Sequence, residues 1–481
     1  MMSTFNSIDN REMVQSTNNE PDANQDATAE EGNECGLSPI EILNDDCLSQ
    51  VFENLELIDL IRMTFVCQRF RGAIVYRGTR IHKLFDIATL ERFFKPEYIF
   101  ETFGSRMAKL KVGVCDISPS KPEYSRLETL LDLLKTYCSE GCLIELHIIF
   151  DNVFTMRTEQ FILEASNILR SVRTLSVICS DRGASNQFIK LFPTENLCRL
   201  NTLNDLSEEI WFKLSLERSL HHLYVQQCTR SDDANYVPVT SFLTSLPNLK
   251  SFRYGNFAMK ERLCQTLAEH AQHVENFGIV FLASRRLLRN FTKLKSLLIW
   301  SFDGDGNDIF EILNFVEHKD RIVEVEIFML RKRSSDIPYT YLKSIMLQFT
   351  SLTDLYLTFT TDPYLDNFIT MEMVLPYFTH VTTVVTTWLT GSSYDDNVVV
   401  AILTLLENIR VLVFIARNDI TRDFYNIVVN AWREKQQSHS LDYPLELRYR
   451  YGRNQVSENQ VDEIVNLKAA LDSDYKYYPW I

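Results

Sequence analysis

The chain has 481 residues, 45% of them hydrophobic, so it carries enough apolar material for a sizeable core and enough length for several domains or one array of repeats. A formal net charge of -15 argues against nucleic acid or an anionic membrane as partner, because both require a basic surface. No apolar run approaches the roughly 18 residues of a membrane-spanning helix, and the opening MMSTFNSIDN lacks the core of a signal peptide; a chain of the cytoplasm, the nucleus or both is expected.

Residues 1–36 hold eight acids (Asp9, Glu12, Glu20, Asp22, Asp26, Glu30, Glu31, Glu34) against one base, Arg11. With few apolar side chains such a segment cannot offset the entropy of ordering, and a disordered acidic tail is expected. In the stretch that follows, LNDDCLSQVFENLELIDLIRMTFVCQRF, the residues Leu48, Val51, Phe52 and Leu55 recur at i, i+3, i+4 and i+7, which predicts one face of a short helix. Asp59 can cap a second helix beginning at Leu60, with Met63, Val66 and Cys67 on its apolar side and Phe70 closing the pair. So small a unit buries little surface alone, so its apolar face is expected to meet a partner.

Leu43, Leu48, Val51, Phe52, Leu55, Asp59, Leu60, Val66, Cys67 and Phe70 stand in register at the places of a known pattern, and residues 37–78 resemble an F-box. One place departs from it: Asn44 stands where the family usually has proline, while Phe70 in place of tryptophan keeps an aromatic anchor and is the milder change. The resemblance implies that these residues dock onto a Skp-family adaptor and, through it, onto a cullin-RING ubiquitin ligase. Asn44 is expected to loosen the opening turn and weaken that docking.

Thr79–Phe103 is rich in aromatic residues, and residues 79–106 are expected to form a helical connector. From Met107 an apolar triplet spaced L-x-x-L-x-L recurs: Met107/Leu110/Val112, Leu143/Leu146/Ile148, Val172/Leu175/Val177 and onward to Ile409/Leu412/Phe414. A weaker copy is read at Leu200/Leu203/Asp205, and Leu445/Leu447 marks the last trace. Counted from Val172, successive first members lie 20 to 30 residues apart, with helix-period stretches such as Phe161, Ala165, Ile168 and Leu169 between them. A short strand and a helix at this period predict stacked units that share one core. The pattern is similar to the F-box/leucine-rich-repeat family. The expected fold class is therefore α/β, a small helical F-box followed by a leucine-rich-repeat solenoid, or horseshoe, over residues 107–455. Residues 456–481 are expected to cap it, with a helix over Ser457–Leu471 and the tail DYKYYPWI.

Catalytic patterns are lacking: there is no Gly-rich phosphate loop, no His-Glu-x-x-His and no Gly-x-Ser-x-Gly. The ten cysteines show no zinc spacing, the nearest pair being Cys138 and Cys142. His270 and His273 lie a helical turn apart without a third ligand. Asp303–Asp308 alternates oxygen ligands but has Asp308 at the sixth place of a calcium loop and Asn314 at the twelfth, so a capped turn is expected. The run Arg331-Lys332-Arg333 reads as a solvated loop. No enzyme, metal or cofactor is expected.

In each strand the residues between the triplet members face the concave side. There Tyr224, Gln226, Arg253, Leu298, Trp300, Glu326, Phe328, Tyr356, Val385, Val413 and Ile415 make an apolar, aromatic lining, taken as the surface for an unidentified protein substrate. The expected function is substrate recognition within an SCF-type ligase. The alternative is a repeat scaffold with a degenerate F-box and no role in ubiquitination, for which Asn44 speaks.

Overall fold

The computed structural model describes residues 43–77, 81–121, 123–150, 154–225, 236–245, 248–254, 266–267, 269–270, 272–279, 285–300, 313–329, 339–359, 375–388, 396–416, 422–449 and 465–469. The acidic tail, Asp303–Asp308 and Arg331–Arg333 lie outside the described residues.

Among the described residues three short helices come first: α1 (Asp45–Glu53), α2 (Leu57–Met63) and α3 (Gln68–Gly72), the last running into a wider turn over Ala73–Arg77. Asn44 caps α1, its Oδ1 accepting from the Cys47 amide at 2.8 Å, while its φ of -69° is the angle a proline would impose. The asparagine thus replaces a ring constraint with a hydrogen bond. Asp59 is not the cap that the sequence suggests. α2 begins at Leu57, three residues before the expected Leu60, and Asp59 sits in its first turn, where a carboxylate still suits the positive end of the helix.

The described strands form one parallel sheet of fifteen, ordered as in the chain. They are β1 (Ile81–Asp86), β2 (Met107–Gly113), β3 (Glu145–Phe150), β4 (Thr174–Cys179), β5 (Arg199–Thr202), β6 (His222–Val225), β7 (Ser251–Tyr254), β8 (Asn276–Ile279), β9 (Ser296–Trp300), β10 (Glu324–Met329), β11 (Asp354–Phe359), β12 (Thr383–Trp388), β13 (Val411–Ala416), β14 (Leu445–Tyr449) and β15 (Val465–Ala469). The middle residue of each triplet pairs with the next across the sheet: Phe85, Leu110, Leu146, Leu175, Leu200, Leu223, Phe252, Phe277, Leu297, Val325, Leu355, Val384, Leu412, Leu447 and Leu467 form one ladder. From Phe85 to Leu447 all of them are buried, each contributing about 1.5–3 kcal/mol of transfer free energy.

Three expectations change. The connector is not wholly helical: β1 lies inside it, so the sheet starts before residue 107, and only a register irregularity between Ile81 and Leu84 obscures the motif. The weak repeat is shifted. Leu200, not Leu203, occupies the ladder, so the unit is Leu197/Leu200/Thr202, all buried. At the end of the chain, Val465–Ala469 is a strand paired with Leu445–Tyr449 where a capping helix is expected; the alternation of Val465, Leu467 and Ala469 won over the helical spacing.

Backbone carbonyls tie each unit to the next. The Ile144 carbonyl accepts from the amides of both Arg173 and Thr174, Arg173 does the same for Cys198 and Arg199, and the pattern continues to Thr382 with Arg410 and Val411. Both lone pairs of one oxygen are used at each strand entrance. The helices Arg126–Tyr137, Met156–Glu164 and Arg182–Leu191 pack on one another in chain order. Glu128 links the first two: one oxygen accepts from the Ser125 amide, the other from the hydroxyls of Thr155 and Thr158. Buried lysines close helix ends. Lys435 donates to the carbonyls of Leu403 and Leu406, and Lys319 to those of Asn314 and Val316.

Candidate protein-interaction site

Within the N-terminal helices the stripe expected to meet a partner turns inward. Leu48, Phe52, Leu60 and Phe70 are buried, and the Phe52 and Phe70 rings meet edge to face with centroids 5.2 Å apart. Leu43 and Leu55 are half-buried against the same core, which is continuous with that of the repeats. The periodicity identified a buried face correctly, but α3 and the turn after it cover that face from within the chain. The outward members of the predicted set are Val51, Asp59, Val66 and Cys67, with Asp59 paired to Arg62 at 3.0 Å. Phe65, 58% exposed, joins them. It lies off the apolar stripe, and a phenylalanine beside Val66-Cys67 that the helical spacing leaves unassigned was the signal for it.

The first side chains of the repeats grip this unit. The Thr64 hydroxyl shares a 2.8 Å hydrogen bond with that of Tyr98, and the Phe65 ring stacks on Tyr98 and on Phe94 at 4.8 and 5.9 Å. Tyr98 belongs to α4 (Pro96–Phe103), whose proline sits in its first turn.

On the sheet, the residues next to the buried ladder form a second row: Asp86, Lys111, His147, Ser176, Asn201, Tyr224, Arg253, Gly278, Leu298, Glu326, Tyr356, Val385, Val413, Arg448 and Lys468. Its start is ionic. Lys111 pairs with Asp86 at 3.4 Å, while Glu145 takes Lys109 at 3.5 Å and His147 at 2.7 Å. Burial works to raise the Glu145 carboxyl, but the hydrogen bonds and charges of His147 and Lys109 outweigh it and hold it below its ordinary value.

Among the described residues, the expected substrate residues do not form a free surface. Arg253, Leu298, Glu326 and Val413 are buried within the chain; only Tyr224 and Tyr356 are half-buried. Arg253 lies over the Tyr224 ring, its guanidinium 5.0 Å from the centroid, and reaches Glu326 at 3.5 Å. Gly278, on the strand after Arg253, leaves the lane for that side chain: a methyl there would come within 2.7 Å of Arg253 Cγ. Val385, Val413 and Ile415 form a small apolar cluster with Tyr356 against it. Trp300 and Phe328 fall on β9 and β10, but their side chains lie outside the described residues, as does Gln226 altogether.

Among the described residues no three His, Cys, Asp or Glu side chains gather as a metal site, and no helix is long and apolar enough to cross a membrane. Cys138 and Cys142 are buried and not joined in a disulfide, and burial pushes the Cys138 thiol up to about 12. Burial, then Lys293, holds His273 below its ordinary value.

A three-helix head fused to a parallel, one-strand-per-repeat sheet defines an F-box followed by a leucine-rich-repeat-type solenoid. The F-box domain family matches residues 40–79, and this segment of the chain is an F-box domain. No curated protein sequence matches the chain significantly. Among solved structures, the leucine-rich repeat-containing protein LegL7 from Legionella pneumophila is similar at 13% identity and a TM-score of 0.38, covering 67% of this chain and 96% of its own. A TLR13–ssRNA13 complex is similar at 10% identity and a TM-score of 0.25, over 76% of this chain and 62% of the other.

Proposed function

We propose that this chain is the substrate-recognition subunit of an SCF-type ubiquitin ligase. Its F-box binds a Skp-family adaptor, and its repeats select a protein substrate for ubiquitin-dependent degradation. The observation that carries this reading is the F-box domain at residues 40–79, whose described helices share one core with a solenoid of parallel strands. The chain then works by proximity, raising the substrate's effective concentration near a charged conjugating enzyme, on the order of millimolar for tethered partners. The chemistry of transfer belongs to other subunits. Asn44 counts against a degenerate F-box, since it keeps both the opening angle and a cap on α1.

The test is reconstitution. Purified adaptor, cullin and RING subunit should form a stable complex with the full chain, and Val66→Asp, at an exposed position, should prevent it while leaving the fold intact. Failure of the wild-type chain to bind the adaptor would remove the reading.

A further inference from the structure

The large apolar side chains of the F-box are mostly spent on its own interior. Leu48, Phe52, Leu60, Ile61 and Phe70 are all buried, which leaves Val51, Phe65 and Val66 as the exposed large hydrophobics among its described residues, at 46%, 58% and 61%. A stable interface covers roughly 800 Å² on each partner and depends on a few large anchors near its centre. Three side chains, two of them valines, are a thin supply.

The apolar surface does not stop at the F-box boundary. Phe65 stacks on Phe94 and Tyr98, Phe94 touches Phe93 with ring centroids 6.3 Å apart, and Phe93 is itself 54% exposed. Arg62 of α2 reaches the Phe93 ring at 5.8 Å and closes the circuit back to the F-box. The array is held in place beforehand. The amides of Phe93 and Phe94 both bond the Leu90 carbonyl, and the Thr64–Tyr98 hydroxyl pair fixes the distance between the two halves. Rings immobilised in advance lose little entropy on being covered, which suits them as anchors.

We propose that the adaptor-docking surface runs past the F-box onto the first repeat segment, along Val66, Phe65, Phe94 and Phe93, with Phe93 as its outer anchor. The proposal rests on the adaptor reading above. The adaptor is the occupant because the patch begins inside the F-box: whatever protein seats on Val66 also covers the adjoining Phe65 ring and, through its stack, meets Phe93. The boundary of the family domain at residue 79 is then not the boundary of the interface. An F-box grafted alone onto another protein would lack part of its grip.

The experiment titrates purified Skp-family adaptor into the full chain by calorimetry, comparing wild type with Phe93→Asp, Phe93→Gln, Val66→Asp and Met156→Asp. Met156 is 90% exposed on a helix between β3 and β4 and serves as the control. The expected result is a dissociation constant raised about tenfold or more by either Phe93 variant, unchanged for Met156→Asp, with the urea midpoint of each variant held at the wild-type value. Wild-type affinity in a folded Phe93 variant, with binding lost in Val66→Asp, would overturn the extended surface and leave the adaptor reading standing. No binding by wild type, or full binding by Val66→Asp, would overturn both. If sedimentation shows wild type as a dimer and Phe93→Asp as a monomer of unchanged adaptor affinity, a second copy covers the patch and the proposal fails.

Discussion

Arg253 leaves β7 and passes over Gly278 on β8 to meet Glu326, which reaches back from β10, so the two side chains together span three strand steps within the chain. Gly278→Ala would place a methyl 2.7 Å from Arg253 Cγ and 3.0 Å from its Cδ, closer than carbon atoms pack, with Leu298 Cδ2 also at 3.0 Å. The arginine must lift, at an overpacking cost of about 1–3 kcal/mol. Glu326 is 1% exposed, so lifting the guanidinium breaks an ion pair to a buried carboxylate, and breaking such a pair costs about 3–5 kcal/mol. Glu326→Ala should therefore lower the urea midpoint strongly, whereas the double change Arg253→Met with Glu326→Leu should recover most of the loss, because an apolar pair of similar volume needs no desolvated charge. The informative comparison is Gly278→Ala in the wild-type and Arg253→Met backgrounds, followed by far-UV circular dichroism in urea. A coupling of about 0.5–3 kcal/mol between the two sites is expected. Equal shifts in both backgrounds would refute the lane, and a silent Glu326→Ala would return the pair to the list of free, substrate-facing groups.

Leu48→Ala should destabilise the F-box by about 2–5 kcal/mol, as a buried side chain does, and so reduce adaptor binding through unfolding; Val66→Asp should act on binding with the midpoint unchanged, and thermal melts beside pull-downs separate the two. Asn44→Ala should cost about 1 kcal/mol through loss of the cap, while Asn44→Pro keeps the backbone angle and should cost less, as read by urea titration. Burial pushes Lys435 down to about 8 from 10.5, so between those values the unfolded chain holds more protons than the folded one, and stability should rise with pH across that window. The difference in urea midpoint between wild type and Lys435→Met, measured at pH 7.5, 9 and 10, should follow that sign; a flat difference would show the amine titrating normally.

The repeating sheet was legible because a parallel solenoid needs an apolar residue at the same place in each strand, and Leu110, Leu146, Leu175, Leu223 and the later rungs supply it. Leu200 shows the limit. Leu197/Leu200 and Leu200/Leu203 both satisfy the spacing, and only hydrogen bonding of Leu200 to both neighbours selects the first. Val465 to Ala469 satisfies a two-residue and a near-helical period together, so the strand emerges only beside β14. The interaction site was harder to read. Periodicity says that Leu48 and Phe52 lie on a covered face but not what covers it, and α3 does so from within the chain. On the concave row the sequence shows which residues sit between the triplet members, but whether Arg253, Glu326 and Val413 meet water depends on tertiary packing that no local pattern encodes.

The lysines that close helix ends have a consequence for labelling and modification. The ammonium groups of Lys435 and Lys319 are engaged by main-chain oxygens and shielded from solvent, at 2% and 7% residue exposure. Amine-reactive reagents and acyl-transferring enzymes alike need an accessible lone pair on nitrogen, so these two positions are closed to them for as long as the chain is folded. Their acylation would report that the repeats around them had come apart.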